Sequence, residues 1–100
     1  MLLIRDIMYC KPGKVRPMVD KFRAMAKLGE EMGMGKMRIL TDVSAERFWT
    51  IVSEFEVPSL EAFMNMGQGD REQMKKFEEI MKGYHDLVDH GRREIYTIEG

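Results

Sequence analysis

Phe48 to Val57, FWTIVSEFEV, is the run richest in β-branched and aromatic residues in the chain, a composition suited to a pleated, half-buried strand. Pro58-Ser59 ends it. Upstream, Lys36 to Val43 (KMRILTDV) alternates Met37, Ile39 and Thr41 against Arg38, Leu40 and Asp42, and only the polar Ser44-Ala45-Glu46-Arg47 separates the two runs. The pair predicts a central hairpin.

Working outward towards the start, Leu2 to Cys10 reads as a strand that meets Lys11-Pro12-Gly13, a strong stop. From Lys14 the period changes. Val15, Met18, Phe22, Met25, Gly29 and Met32 step by three and four, the spacing of one helical face. Pro17 is tolerated in the first turn, and Gly33 is the expected stop. Working outward the other way, Ser59 predicts an N-cap for a short helix over Leu60 to Met66, broken by Gly67-Gln68-Gly69. Asp70 with Gln73 forms a capping-box pattern that restarts a helix. Met74, Phe77, Met81, Tyr84 and Val88 carry its apolar stripe, Gly91 is its expected stop, and Arg92 to Ile98 alternates as a last strand.

The order is β-α-β-β-α-β over a single domain, residues 1–100. Two such strand-helix-strand units interleave into a ferredoxin-like α+β fold, a four-stranded antiparallel sheet with helices on one face.

Composition narrows the class. With 44% apolar and 33% charged residues and a net charge of −1, neither disorder, a bilayer span nor a nucleic-acid-binding surface is expected. Arg5 and Asp6 interrupt the apolar Met1–Ile4 too early for a signal peptide, and the lone Cys10 fits a reducing compartment, so a cytoplasmic location is expected. The RNA-recognition module shares this element order, but its glycines are missing around Phe48–Phe55, and Glu54 and Glu56 would oppose phosphate. Eleven methionines suit an irregular interior, as core filling or as the wall of an adaptable ligand site.

Helices on one face leave the other uncovered. There Leu3, Ile7, Tyr9, Phe48 and Val52 predict an apolar patch of a size that marks an interaction surface, and a homodimer through that face is expected. Three segments carry a resemblance: the strand leading into Lys11-Pro12-Gly13-Lys14 and a long amphipathic helix, the strand end Val57-Pro58-Ser59-Leu60-Glu61-Ala62-Phe63, and Gly91-Arg92-Arg93-Glu94-Ile95-Tyr96. Together they resemble the dimeric α/β-barrel superfamily, and within it NIPSNAP-type and antibiotic-biosynthesis-monooxygenase-type proteins. The resemblance implies a dimer whose sheets close into a barrel and, where relatives are enzymes, a pocket between sheet and helices for cofactor-independent oxygenation or isomerisation. Asp6 stands where NIPSNAP-type members often carry arginine, and Met66 stands near the position where monooxygenase-type members often place a histidine.

Asp6 is the most informative polar residue. It shares a row with Ile4 and Met8, the row expected to face the helices, where a carboxylate either pairs, for example with Arg23, or does chemical work. His85 follows Met81 by four on the second long helix, so Asp6 and His85 are the candidate catalytic pair for proton abstraction. Trp49, Ser53, Met81 and Tyr84 are candidate ligand-pocket residues, with the core the favoured place for Trp49. His90 is expected to cap the second long helix, and His85 and His90, five apart, do not share a metal-binding face. No metal and no cofactor are expected. The leading expectation is a pocket for a small hydrophobic or aromatic molecule. The alternative is a non-catalytic binding or assembly module, and haem binding is third. An open cavity holding Asp6 or His85 would favour the enzyme, and a sealed core the assembly module.

Overall fold

The computed structural model describes residues 1–66 and 71–100. Strand β1 spans Leu2–Cys10, helix α1 Val15–Glu31, strand β2 Arg38–Thr41 and strand β3 Thr50–Val57. Helix α2 spans Leu60–Asn65, helix α3 Arg71–Met81 and strand β4 Val88–Thr97, with one 3-10 turn at Tyr84–Asp86 before the last strand. The strands form one antiparallel sheet in the order β2-β3-β1-β4. This is the ferredoxin-like arrangement expected from the element order.

The start and stop signals act locally. Pro17 occupies the first turn of α1, where its missing N–H costs little. Ser59 caps α2, its Oγ accepting from the Ala62 N–H at 3.1 Å. The expected capping pair at Asp70 and Gln73 begins outside the described residues. Lys21 of α1 donates through Nζ to the Ile80 and Lys82 carbonyls at 3.2 and 2.6 Å. A cation thus satisfies orphan carbonyls at the end of α3 and ties the two helices together.

Packing is uneven along the layer. Met18, Val19 and Phe22 of α1 are buried against Cys10 and Ile51 of the sheet, with Met81, Tyr84, Leu87 and Val88 packed around them. Burial of Met18, Val19, Phe22 and Ile51 contributes roughly 1.5–3 kcal/mol each. Helix α3, by contrast, buries none of its described residues completely. Met74 and Phe77 of its apolar stripe meet an open space, while its last residue, Met81, packs on the core.

Three sequence expectations are corrected. First, the second long helix stops at Met81, because Gly83 turns the chain with φ +83°. His85 therefore sits in the 3-10 turn, and His90 lies within β4 and caps nothing. Gly91 is a strand residue: a Cβ there would come within 2.8 Å of the Ile7 carbonyl oxygen, so the close approach of β4 to β1 is what requires glycine. Second, β3 begins at Thr50, because Trp49 takes φ +62° and breaks the ladder ahead of it.

Third, the uncovered sheet face is not a continuous apolar patch. Ile7 and Tyr9 are already buried within the chain, and Phe48, outside the strand, is 82% exposed. One charged row crosses all four strands instead. Arg38 of β2 faces Glu54 of β3, Glu54 faces Arg5 of β1, and Arg5 faces Glu94 of β4. Arg5 Nε lies 2.7 Å from Glu54 Oε2 and Nη1 3.5 Å from Glu94 Oε1, while Arg92 Nε reaches Glu94 Oε2 at 3.1 Å. The Arg5 Nε is buried without a properly aligned acceptor, so its contact with Glu54 is electrostatic rather than a good hydrogen bond. Opposite charges directly across a ladder stabilise the pairing.

Candidate functional site

The alternation of the sheet places Ile4, Asp6, Met8 and Cys10 of β1 on the helix side. The register then builds three rungs across β3, β1 and β4. Phe55–Ile4–Ile95 and Ile51–Met8–Gly91 are apolar; between them lies Ser53–Asp6–Arg93. A single polar rung thus crosses an otherwise greasy wall.

Arg93 Nε donates to Asp6 Oδ1 at 2.6 Å, with Nη2 3.4 Å from Oδ2. The same guanidinium lies 5.0 Å from the centre of the Phe63 ring on α2, a cation–π distance. Phe63 in turn packs on Phe55 with centroids 6.0 Å apart. The Arg93 head is therefore held between a carboxylate on the sheet and an aromatic ring on a helix. Exposure rises along the rung: Ser53 is 3% exposed, and the side chains of Asp6 and Arg93 are 20% and 53% exposed. The rung runs from the floor of a cavity to its mouth. Among the described residues the Ser53 hydroxyl has no hydrogen-bond partner.

That cavity has a volume of about 620 Å³, within the usual range for sites of small organic molecules. Asp6, Met8, Ser53, Phe55 and Arg93 form its sheet wall, and α1 contributes Phe22, Met25, Ala26 and Gly29. Met34 and Met37 follow from the segment after α1. The cover comes from Phe63, Met64 and Met66 in and after α2 and from Met74 and Phe77 of α3. Seven of the eleven methionines (Met8, Met25, Met34, Met37, Met64, Met66 and Met74) thus line one space. Thioethers on flexible stems make a polarisable wall that adapts to shape.

A second, more polar cavity of about 380 Å³ lies beside it, lined by Asp6, Met8, Tyr84, His85, Asp89 and Arg93 among others. Asp6, Met8 and Arg93 belong to both cavities. The structure therefore brings Asp6 and His85 to one space, with the His85 ring stacked on Tyr84 at 3.9 Å between centroids. Of the candidate pocket residues, Ser53 lines the larger cavity and Tyr84 the smaller. Met81 packs on the sealed core instead. Trp49 is 44% exposed and lines a separate surface hollow with Val15, Thr41, Asp42 and Phe48, so its large ring walls neither cavity. The partner of Asp6 is Arg93 on the neighbouring strand, not the helix cation Arg23. Sequence reasoning missed Arg93 because only the register of β4 on β1 brings it to Asp6. The signal present was the position of Arg93 in an alternating terminal strand.

Cys10 is buried, and that burial, followed by the nearby Asp42 charge, pushes its thiol pKa up. It is therefore a poor nucleophile. No group of His, Cys, Asp or Glu suited to a metal occurs among the described residues. None of their helices is long and apolar enough to cross a membrane.

No family model and no curated protein matches the chain. Solved structures do. An uncharacterised NIPSNAP-like domain protein from Burkholderia xenovorans superposes with a TM-score of 0.75 at 12% identity, over 97% of this chain and 84% of that one. A NIPSNAP family protein from Agrobacterium tumefaciens gives 0.76 at 10% identity, over 96% and 90% of the two chains. A candidate antibiotic biosynthesis monooxygenase from Nitrosomonas europaea gives 0.70 at 14% identity over the full length of both. This chain has their fold. The expected ferredoxin-like architecture and its likeness to NIPSNAP-like and monooxygenase-type structures thus stand together.

Proposed function

We propose that this ferredoxin-like protein binds a small, largely apolar organic molecule between its sheet and its helices. The observation that carries the reading is the cavity of about 620 Å³ with a methionine- and phenylalanine-rich wall crossed by the single rung Ser53–Asp6–Arg93. Apolar walls supply affinity through area removed from water, and a few convergent polar groups supply orientation. A layer sealed throughout would have suited a purely structural module, whereas Met74 and Phe77 of α3 line an open cavity. The test is isothermal titration with naphthalene and its simple derivatives. Saturable one-to-one binding supports the reading, and no heat at the solubility limit refutes it.

A catalytic role is the second reading, favoured by Asp6 lying on both cavities and sharing the smaller one with His85. Asp6, oriented by Arg93, would take a proton from the bound molecule, as cofactor-independent oxygenation or isomerisation of an acidic C–H requires. The monooxygenase description of one structural neighbour is consistent with that chemistry. Turnover of an identified substrate that survives Asp6→Asn would remove Asp6 from the role.

The working unit proposed is a homodimer in the cytoplasm, with the uncovered sheet faces apposed. The alternating row Arg38–Glu54–Arg5–Glu94 can meet its own copy with opposite charges facing, and Leu40 and Tyr96, 40% and 48% exposed, flank it with apolar surface. Light scattering at micromolar concentration decides: the mass of two chains supports it, and the mass of one refutes it.

A further inference from the structure

We infer that the Ser53–Asp6–Arg93 rung selects ligands by the charge of their head group, admitting an uncharged hydroxyl and rejecting both carboxylates and ammonium groups. The inference rests on the reading of the larger cavity as a small-molecule site and adds the chemical class of its occupant.

The argument is one of charge and unused valence. Asp6 and Arg93 neutralise one another through two contacts, Nε to Oδ1 and Nη2 to Oδ2. A guanidinium carries five N–H groups, so three remain for other acceptors, and each carboxylate oxygen keeps a lone pair. Ser53, at 3% exposure and without a partner among the described residues, can both donate and accept. A hydroxyl placed at the rung matches this set. It donates to Asp6 and accepts from the Ser53 hydroxyl, which lines the same cavity. A cationic head entering at the mouth would meet Arg93 before reaching Asp6, and an anionic head drawn to Arg93 would have to settle beside the Asp6 carboxylate that Arg93 already holds. Either competes with a charge-assisted pair whose guanidinium also rests on the Phe63 ring, and gains less than it would from a lone partner. Among the described residues the rest of the wall is methionine, phenylalanine, alanine and glycine, which offer a displaced charge no partner.

The ion pair therefore acts as a filter, and removing one member should convert it. Asp6→Asn keeps the shape but frees Arg93, so the pocket becomes an acid site. Arg93→Gln frees Asp6, so it becomes an amine site. Ser53→Ala should weaken hydroxyl binding and leave the bare hydrocarbon untouched.

The test uses one apolar body with three heads, naphthylmethanol, naphthoate and naphthylmethylammonium, plus naphthalene itself. Each is titrated calorimetrically into the intact protein at neutral pH. The wild type should bind the alcohol about tenfold more tightly than either ion, as one unopposed hydrogen bond and one avoided charge conflict allow. Asp6→Asn should gain about tenfold for naphthoate alone, and Arg93→Gln about tenfold for the ammonium alone. Naphthoate binding to the wild type as tightly as the alcohol overturns the filter while leaving the pocket in place. So does naphthalene binding as tightly as the alcohol. Failure of all four probes overturns the pocket and the filter together. Far-ultraviolet circular dichroism checks that the charge variants fold; if one does not, the wild-type ranking and Ser53→Ala still decide.

Discussion

Asp6 and Arg93 lie directly opposite each other across β1 and β4, joined at 2.6 Å on the wall of the larger cavity. More than half of the Arg93 side chain is exposed, so water screens the pair and its contribution to stability is small, about 0–1 kcal/mol. Asp6→Asn should therefore move the urea midpoint little while altering ligand choice. A loss of several kcal/mol would show the pair to be a structural brace rather than part of a binding site.

The sealed core and the cavity wall make opposite predictions for similar residues. Met18 is fully buried, and Met18→Ala should cost about 2–5 kcal/mol. Met74 lines the cavity from α3, so Met74→Ala should cost less than about 1.5 kcal/mol, since it enlarges a space already open. Urea unfolding of the two variants compares them directly.

Gly91→Ala should destabilise by about 1–3 kcal/mol. The added methyl would meet the Ile7 carbonyl at 2.8 Å, and strand backbone cannot step aside as a side chain can. Thermal melts of the variant and the wild type provide the measurement.

Cys10 should resist alkylation in the native protein at neutral pH and react fully once unfolded in urea. Burial raises its pKa and keeps the thiol protonated. Rapid native labelling with iodoacetamide would contradict the placement of Cys10 in the core.

Glu94 is held below the usual carboxylate range, first by the hydrogen bond from Arg92 and then by that from Tyr96. A group whose pKa falls on folding adds stability above its unfolded value and loses it as pH drops through the folded one. Wild type should therefore exceed Glu94→Gln in stability near neutrality, with the gap closing in acid. A gap that widened on acidification would reverse the sign and refute the arrangement.

The parts of the fold legible in the sequence were those marked by local chemistry. Lys11-Pro12-Gly13 stops β1 at Cys10, and Ser59 starts α2, because backbone geometry at those points depends on the residues themselves. The end of the second long helix differs from the expectation because Tyr84 and Val88 continue the helical spacing by coincidence, while Gly83, eight residues before the expected stop at Gly91, has already turned the chain. The face of Asp6 followed from alternation alone, whereas its partner depended on strand register, which no local signal encodes. Trp49 read as a pocket or core side chain because its aromatic character said nothing of its left-handed backbone. Nor could the methionine spacing on the helices tell a packed stripe from a cavity lining; both repeat every three to four residues.

The most direct measurement of the central claim labels the methionine methyl groups with carbon-13 and titrates naphthylmethanol while recording methyl spectra. Met8, Met25, Met34, Met37, Met64, Met66 and Met74 line the cavity, and Met1, Met18, Met32 and Met81 do not. Saturable shifts in the first group with the second unmoved are the predicted result. Shifts confined to Met1, Met18, Met32 and Met81, spread evenly over all eleven, or absent altogether would contradict the account.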